Sequence, residues 1–153
     1  MIQVGDKAPE FDLPDADMSN TSSAVLAGNP YVIYFYPKDD TPGCTMEGIE
    51  FTELMSEFEQ RGVEIIGVSR DTCASHAAFR DKYGLNMRLL ADVEGSLCEA
   101  YGVWREKEKN GEKKLGILRS TFIVDAVGTV RHALYDVKPK GHAEQVLELV
   151  RAL

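Results

Sequence analysis

Tyr31-Val32-Ile33-Tyr34-Phe35-Tyr36 is an unbroken run of β-branched and aromatic residues that stops at Pro37-Lys38-Asp39-Asp40-Thr41-Pro42-Gly43-Cys44. A short apolar run bounded by turn residues reads as a strand buried on both faces, which is the kind of strand that α/β sheets use. Beyond the turn, Met46, Ile49, Leu54, Met55 and Phe58 form an imperfect helical stripe, predicting a helix over 42–60 with Gly62 just past its Arg61 end. Thr41 suits the N-cap and Pro42 the first helical position. Cys44 then falls in the first turn, at the position where a capping box would place Glu or Gln. Backbone N–H groups there lack intrahelical partners and the helix dipole is positive, so both favour a thiolate over a thiol. The junction also lies where α/β folds place their sites, beyond the carboxyl end of a strand. A buried structural cysteine is the competing reading, since free Cys is among the most buried residue types. Pro42 and Gly43 put little side-chain bulk around the sulfur, so an accessible thiol is expected.

Along the rest of the chain, turn clusters at 5–9 and 13–15 bracket a short strand at 10–13. Further strands are expected at 63–68, 88–90, 120–124 and 129–135. A helix capped by Asp71 or Thr72 runs to Tyr83 and ends at Gly84, and a short one spans 95–101. The last helix, 141–151, places Ala143, Val146, Leu147 and Val150 on one face. Residues 105–114 are a charged run around Asn110-Gly111, read as a solvated hairpin turn or loop. This order predicts one α/β domain over residues 1–153, with a mixed central sheet flanked by helices on both faces.

The net charge of −8 argues against sequence-independent nucleic-acid binding and against an anionic membrane surface. No apolar stretch is long enough to span a membrane, and Met1-Ile2-Gln3-Val4-Gly5-Asp6 lacks a signal core, so a cytoplasmic location is expected. An odd count of three cysteines fits reduced thiols rather than a disulfide framework. Cys73 and His76 share one helical face, but no second pair completes a metal site, and His132 and His142 look isolated. Gly48 and Ile49 follow Cys44 without a second cysteine nearby, against a dithiol oxidoreductase.

Pro37, Thr41 and Cys44 match the Pro-x-x-x-Thr-x-x-Cys motif of the peroxiredoxins. The chain resembles that family's bacterioferritin-comigratory, or peroxiredoxin Q, branch. The resemblance is carried by Gly5-Asp6-Lys7-Ala8-Pro9-Glu10-Phe11, Tyr34-Phe35-Tyr36-Pro37, Pro42-Gly43-Cys44-Thr45-Met46-Glu47, Ala100-Tyr101-Gly102-Val103-Trp104 and Arg119-Ser120-Thr121-Phe122-Ile123-Val124-Asp125. It implies a thioredoxin-like fold and a cofactor-free, metal-free, mostly monomeric peroxidase. Its partners would be peroxide substrates and thioredoxin or another thiol reductant.

By this resemblance Cys44 is the nucleophile, and Thr41 and Arg119 supply donors to the reacting oxygens. Pro37 shields the site, Glu47 orients Arg119, and Gly43 supports the turn. On the residues alone, Arg119 reads as a surface arginine at a strand start, Thr41 as an N-cap, Pro37 as a strand terminator, and Glu47 as an acid offsetting the dipole. The family's two usual places for a resolving cysteine hold Ile49 and Arg80 here. Cys73 is a candidate resolving thiol and Cys98 reads as core packing. Turnover through Cys44 with an external thiol is the expected mechanism. A peroxide sensor that passes oxidation to a partner is the alternative.

Overall fold

The computed structural model describes residues 1–153. The chain opens with β1 (Asp12–Pro14), β2 (Asn20–Ser22), α1 (Ser23–Leu26) and β3 (Tyr31–Phe35). Two consecutive helices, α2 (Pro42–Glu53) and α3 (Met55–Gln60), lead to β4 (Glu64–Ser69), α4 (Cys73–Tyr83) and β5 (Arg88–Ala91). After α5 (Ser96–Ala100) come β6 (Trp104–Lys109), β7 (Glu112–Ile117), β8 (Ser120–Val124), β9 (Val130–Leu134) and α6 (His142–Arg151).

Five strands form the central sheet in the order β5-β4-β3-β8-β9. β3, β4 and β5 are parallel, while β8 and β9 run antiparallel to their neighbours. β3 occupies the middle, which is why its sequence carries no polar face. Its side chains alternate: Val32, Tyr34 and the following Tyr36 enter one core with residues of α2, α3, α4 and α6. Tyr31, Ile33 and Phe35 enter a second core with residues of α1 and α5. Each large apolar side chain so buried contributes roughly 1.5–3 kcal/mol. The mixed sheet covered on both faces is the layering that the sequence predicts. No helix is long and apolar enough to cross a membrane.

The expected helix 42–60 is two helices. Leu54 has ψ 4°, and its amide is shared between the carbonyls of Glu50 and Phe51, a tightened turn that redirects the chain and buries Met55 and Phe58. The apolar stripe was imperfect for a reason. Met46 is 42 % exposed, whereas the inward face of α2 carries Cys44, Glu47, Gly48 and Phe51. The hairpin of β1 and β2 was not expected. Its residues are largely polar, and its turn is held by Asp15 Oδ1, which accepts from the amides of Asp17 and Ser19. The charged run forms a full antiparallel hairpin, β6 with β7, and both turn residues, Asn110 and Gly111, have positive φ.

Gly67 is required by the core. It pairs with Tyr34 across β3 and β4, and a Cβ on it would lie 2.9 Å from the Tyr34 ring and from Leu89. The glycine lets the Tyr34 ring lie flat on the sheet, stacked on Phe51 with centroids 4.7 Å apart.

Candidate active site

Strand direction assembles the site. Because β3 and β4 are parallel, α2 and α4 both begin at the same end of the sheet, which brings the segments bearing Cys44 and Cys73 to that end. Because β8 is antiparallel to β3, with Ser120 opposite Phe35, the start of β8 reaches that end too. Arg119 is the residue just before it.

Cys44 lies in the first turn of α2 as expected, but it is only 2 % exposed. The expectation of an accessible sulfur is therefore corrected: the space left by the small side chain of Gly43 is filled by Arg119. A Cβ on Gly43 would stand 3.1 Å from Arg119 Nη2 and 3.3 Å from Pro139. Arg119 Nη2 lies 3.4 Å from Cys44 Sγ, and Nη1 donates to Glu47 Oε1 at 2.7 Å. One planar guanidinium thus bridges the sulfur and a carboxylate. Burial works to lower the Arg119 pKa, but the charges of Glu47 and Cys44 outweigh it and hold the cation above its ordinary value.

Glu47 is fully buried, one helical turn after Cys44. Its second oxygen, Oε2, has no hydrogen-bond partner. Burial pushes its carboxyl up to about 7, against the opposing pull of Arg119. A carboxylate raised on folding binds more protons in the native than in the unfolded chain, so stability falls as pH rises from the unfolded value of 4.5 toward 7. Glu47→Gln removes this contribution. Between pH 4.5 and 7.5 the wild type should lose up to about 3 kcal/mol of stability relative to Glu47→Gln. Urea melts across that range measure it, and parallel profiles for the two proteins would refute it.

Thr41 occupies the N-cap with extended backbone, φ −96° and ψ 155°, but makes no side-chain cap bond. Its hydroxyl instead donates to the Lys38 carbonyl at 2.8 Å. In this arrangement its proton is engaged by that carbonyl, and its lone pairs remain to accept. Pro37 is exposed in the loop between β3 and α2. Cys73 is half-buried at the start of α4. Cys98 is fully buried in the core on the opposite face of the sheet from Cys44, and burial followed by its hydrogen bond with Asp92 pushes its thiol far up.

Two residues near the site escaped the sequence reading. Lys107 was placed in a solvated run, yet it is half-buried on β6. Burial first, then the charge of Arg119, lowers its pKa, while Cys44 and Asp136 pull it up, so this second cation shares the field around the sulfur. The signal available for it was Gly116, over which the Lys107 stem lies: a Cβ there would be 3.5 Å from Lys107 Cδ. His142 is not isolated. Its Nε2 accepts from the Thr121 hydroxyl at 2.7 Å, and Nδ1 donates to Gln145 Oε1 at 3.2 Å. Burial holds its pKa low, so it stays neutral beside the site.

Chemically, the arrangement offers a sulfur under a fixed cation, with N–H groups of a helix N-terminus around it. That combination suits attack by sulfur on an electrophile whose departing atom becomes negative.

The sequence profile of the AhpC/TSA family matches residues 4–133. A curated protein named peroxiredoxin Bcp, from Xanthomonas campestris pv. campestris, is 45 % identical over 147 residues, covering 95 % of this chain and 92 % of that protein. The peroxiredoxin Bcp of Escherichia coli K12 is 37 % identical over 150 residues, covering 98 % and 96 % of the two chains. Among solved structures, the X. campestris bacterioferritin comigratory protein, studied for alkyl peroxide reduction, superposes with a TM-score of 0.89 at 43 % identity, covering 93 % of this chain and 90 % of its own. A cysteine-to-serine variant of Xylella fastidiosa PrxQ superposes with a TM-score of 0.94 at 35 % identity, covering 99 % and 97 %. The fold is thus thioredoxin-like, as expected.

Proposed function

This chain belongs to the AhpC/TSA family, in its Bcp/PrxQ peroxiredoxin branch, and from that membership we propose that Cys44 is the thiol through which it reduces hydrogen peroxide and organic hydroperoxides. The observation that carries the assignment is the Arg119 bridge, with Nη1 on Glu47 and Nη2 on Cys44 Sγ. In its thiolate form the Cys44 sulfur attacks the terminal oxygen of the peroxide. An S–O bond forms, the weak O–O bond breaks, and the departing alkoxide or hydroxide takes a proton to leave as alcohol or water. Arg119 sits where it stabilises both the starting sulfur and the negative charge on the departing oxygen. The lone pairs of Thr41 Oγ1 are free to accept from the peroxide O–H. Pro37 covers the loop side of the site, Gly43 gives Arg119 its room, and buried Glu47 fixes the guanidinium plane.

The product is a sulfenic acid on Cys44, the first rung of the cysteine oxidation ladder. An external thiol, thioredoxin or a small thiol, then attacks that sulfur, releasing water and leaving a mixed disulfide that a second thiol resolves. The half-buried Ile49 fills one usual resolving position, and Cys98 lies in the opposite core. This favours one-cysteine turnover, and by analogy with the family we infer that it runs without a cofactor in a cytoplasmic monomer. Mass analysis under non-reducing conditions after one equivalent of peroxide tests the reading. One added oxygen on the Cys44 peptide is expected. An unmodified Cys44 would refute the assignment, and loss of two hydrogens with a Cys44–Cys73 crosslink would replace one-cysteine turnover by an internal disulfide.

A further inference from the structure

The loop from Tyr36 to Thr41 is fastened to α4 by a buried polar cluster that the peroxidase chemistry does not use. Asp39 is only 7 % exposed. Its Oδ1 accepts from Tyr36 Oη at 2.6 Å, and its Oδ2 accepts from Ser75 Oγ at 2.8 Å and lies 2.7 Å from His76 Nδ1. Its amide donates to Asp71 Oδ2 at 2.9 Å, an oxygen also bonded by Ser69 Oγ at 2.6 Å. His76 is fully buried, and its other nitrogen lies 2.9 Å from the Leu90 carbonyl on β5. Both ring nitrogens therefore have an oxygen partner, one from the loop and one from the sheet. The next residue makes a second attachment at the surface: Asp40 accepts from Lys82 Nζ at 2.8 Å and from Tyr83 Oη at 2.6 Å. Asp40 has φ 58°, in the left-handed region that few residues other than Gly, Asn and Asp adopt. The loop is thus fastened to α4 at two successive residues.

The consequence concerns Cys44, which follows this loop by one helical turn and is 2 % exposed beneath Arg119. A small peroxide needs the first turn of α2 closed, so that Arg119 and Thr41 are in place. A reducing thiol is bulkier and must reach an oxidised sulfur that the closed turn buries, so reduction requires that turn to open. Resting on the reading of Cys44 as the reacting thiol, we propose that Asp39 and His76 are positioning residues. They form a latch that holds the Cys44 turn closed for oxidation and whose release sets the rate of reduction.

The two half-reactions separate a latch from mere fold stability, because the latch moves them in opposite directions. His76→Phe keeps an aromatic ring at the position and removes both nitrogen contacts. In single-turnover measurements it should slow Cys44 oxidation by hydrogen peroxide about fivefold and speed reduction of the sulfenic form by dithiothreitol about fivefold. Ser75→Ala, which removes one bond to Asp39, should shift both rates in the same senses by about twofold. Hydrogen exchange of amides 37–47 in the reduced protein should quicken in both variants, while amides of β3 and β8 keep wild-type rates.

Rates that fall together, or remain at wild-type values with unaltered exchange, would overturn the latch. If His76→Phe does not fold, Ser75→Ala decides on the same criteria. A wild-type Cys44 that peroxide leaves unoxidised would instead refute the enzymatic reading, and the exchange measurement would still report whether the loop is latched.

Discussion

Cys44→Ser should reduce peroxide consumption to the rate of the protein-free reaction, while Cys73→Ser and Cys98→Ser retain most of the wild-type rate. The expectation follows from bond chemistry. Sulfur gains an S–O bond as the weak O–O bond breaks, whereas a serine oxygen attacking a peroxide would exchange one O–O bond for another. Serine is also un-ionised at neutral pH and weak as a nucleophile without an adjacent base. The two control variants follow from position. Cys98 lies in the core on the other face of the sheet, and Cys73 starts a separate helix. Steady-state peroxide consumption by all four proteins, with dithiothreitol or a thioredoxin system as reductant, makes the comparison. Activity that survives Cys44→Ser would end the assignment, and its loss in Cys73→Ser would give that thiol the resolving role.

Arg119→Met should lower the second-order rate of Cys44 oxidation by about 10²–10³, the usual effect of removing a donor aimed at developing negative charge. Arg119→Lys should recover little of it. The guanidinium reaches Glu47 and Cys44 through two different nitrogens, and one ammonium cannot reproduce that planar bridge. The same substitution has a second effect, on stability. Glu47 is fully buried, Arg119 is its salt-bridge partner, and removing one member of a buried pair costs about 3–5 kcal/mol. Adding Glu47→Gln to Arg119→Met should restore much of the stability and none of the rate, which separates the chemical role of the arginine from its structural one. Stopped-flow oxidation and urea melts of the single and double variants supply both readouts. A rate for Arg119→Met within a few-fold of wild type would remove the arginine from the chemistry.

How far the site could be read in advance differs residue by residue. Cys44 was legible because its signals are local: a Thr-Pro start, a first-turn position and a preceding apolar strand all lie within a few residues. The end of α4 at Gly84, φ 64°, was legible for the same reason, since only a residue tolerant of left-handed backbone sits comfortably there. Arg119 was legible only through the family resemblance, because nothing in its neighbours distinguishes it from a surface arginine. Lys107 and His142 were misread. The burial of Lys107 depends on a hairpin folding over Gly116, and the partner of His142 is Thr121 on a strand 21 residues away. Met46 was misassigned to the buried face because apolar periodicity has no means of anticipating that a helix will turn a glutamate inward.

By itself, the sequence determined the strand-turn-helix unit at residues 31–53, with a cysteine in the first helical turn. Strand burial, capping and turn chemistry all act over a few residues. The tertiary structure decided what that cysteine meets. Arg119 comes to it from 75 positions away because β8 pairs antiparallel with β3, so the start of one strand meets the end of the other. The same packing closes Arg119 over the sulfur, buries Glu47 without a partner for one oxygen, and straps the preceding loop to α4. Those contacts depend on which strands pair and in which direction, and that is settled by the hydrophobic cores on both faces of the sheet rather than by any short stretch of residues.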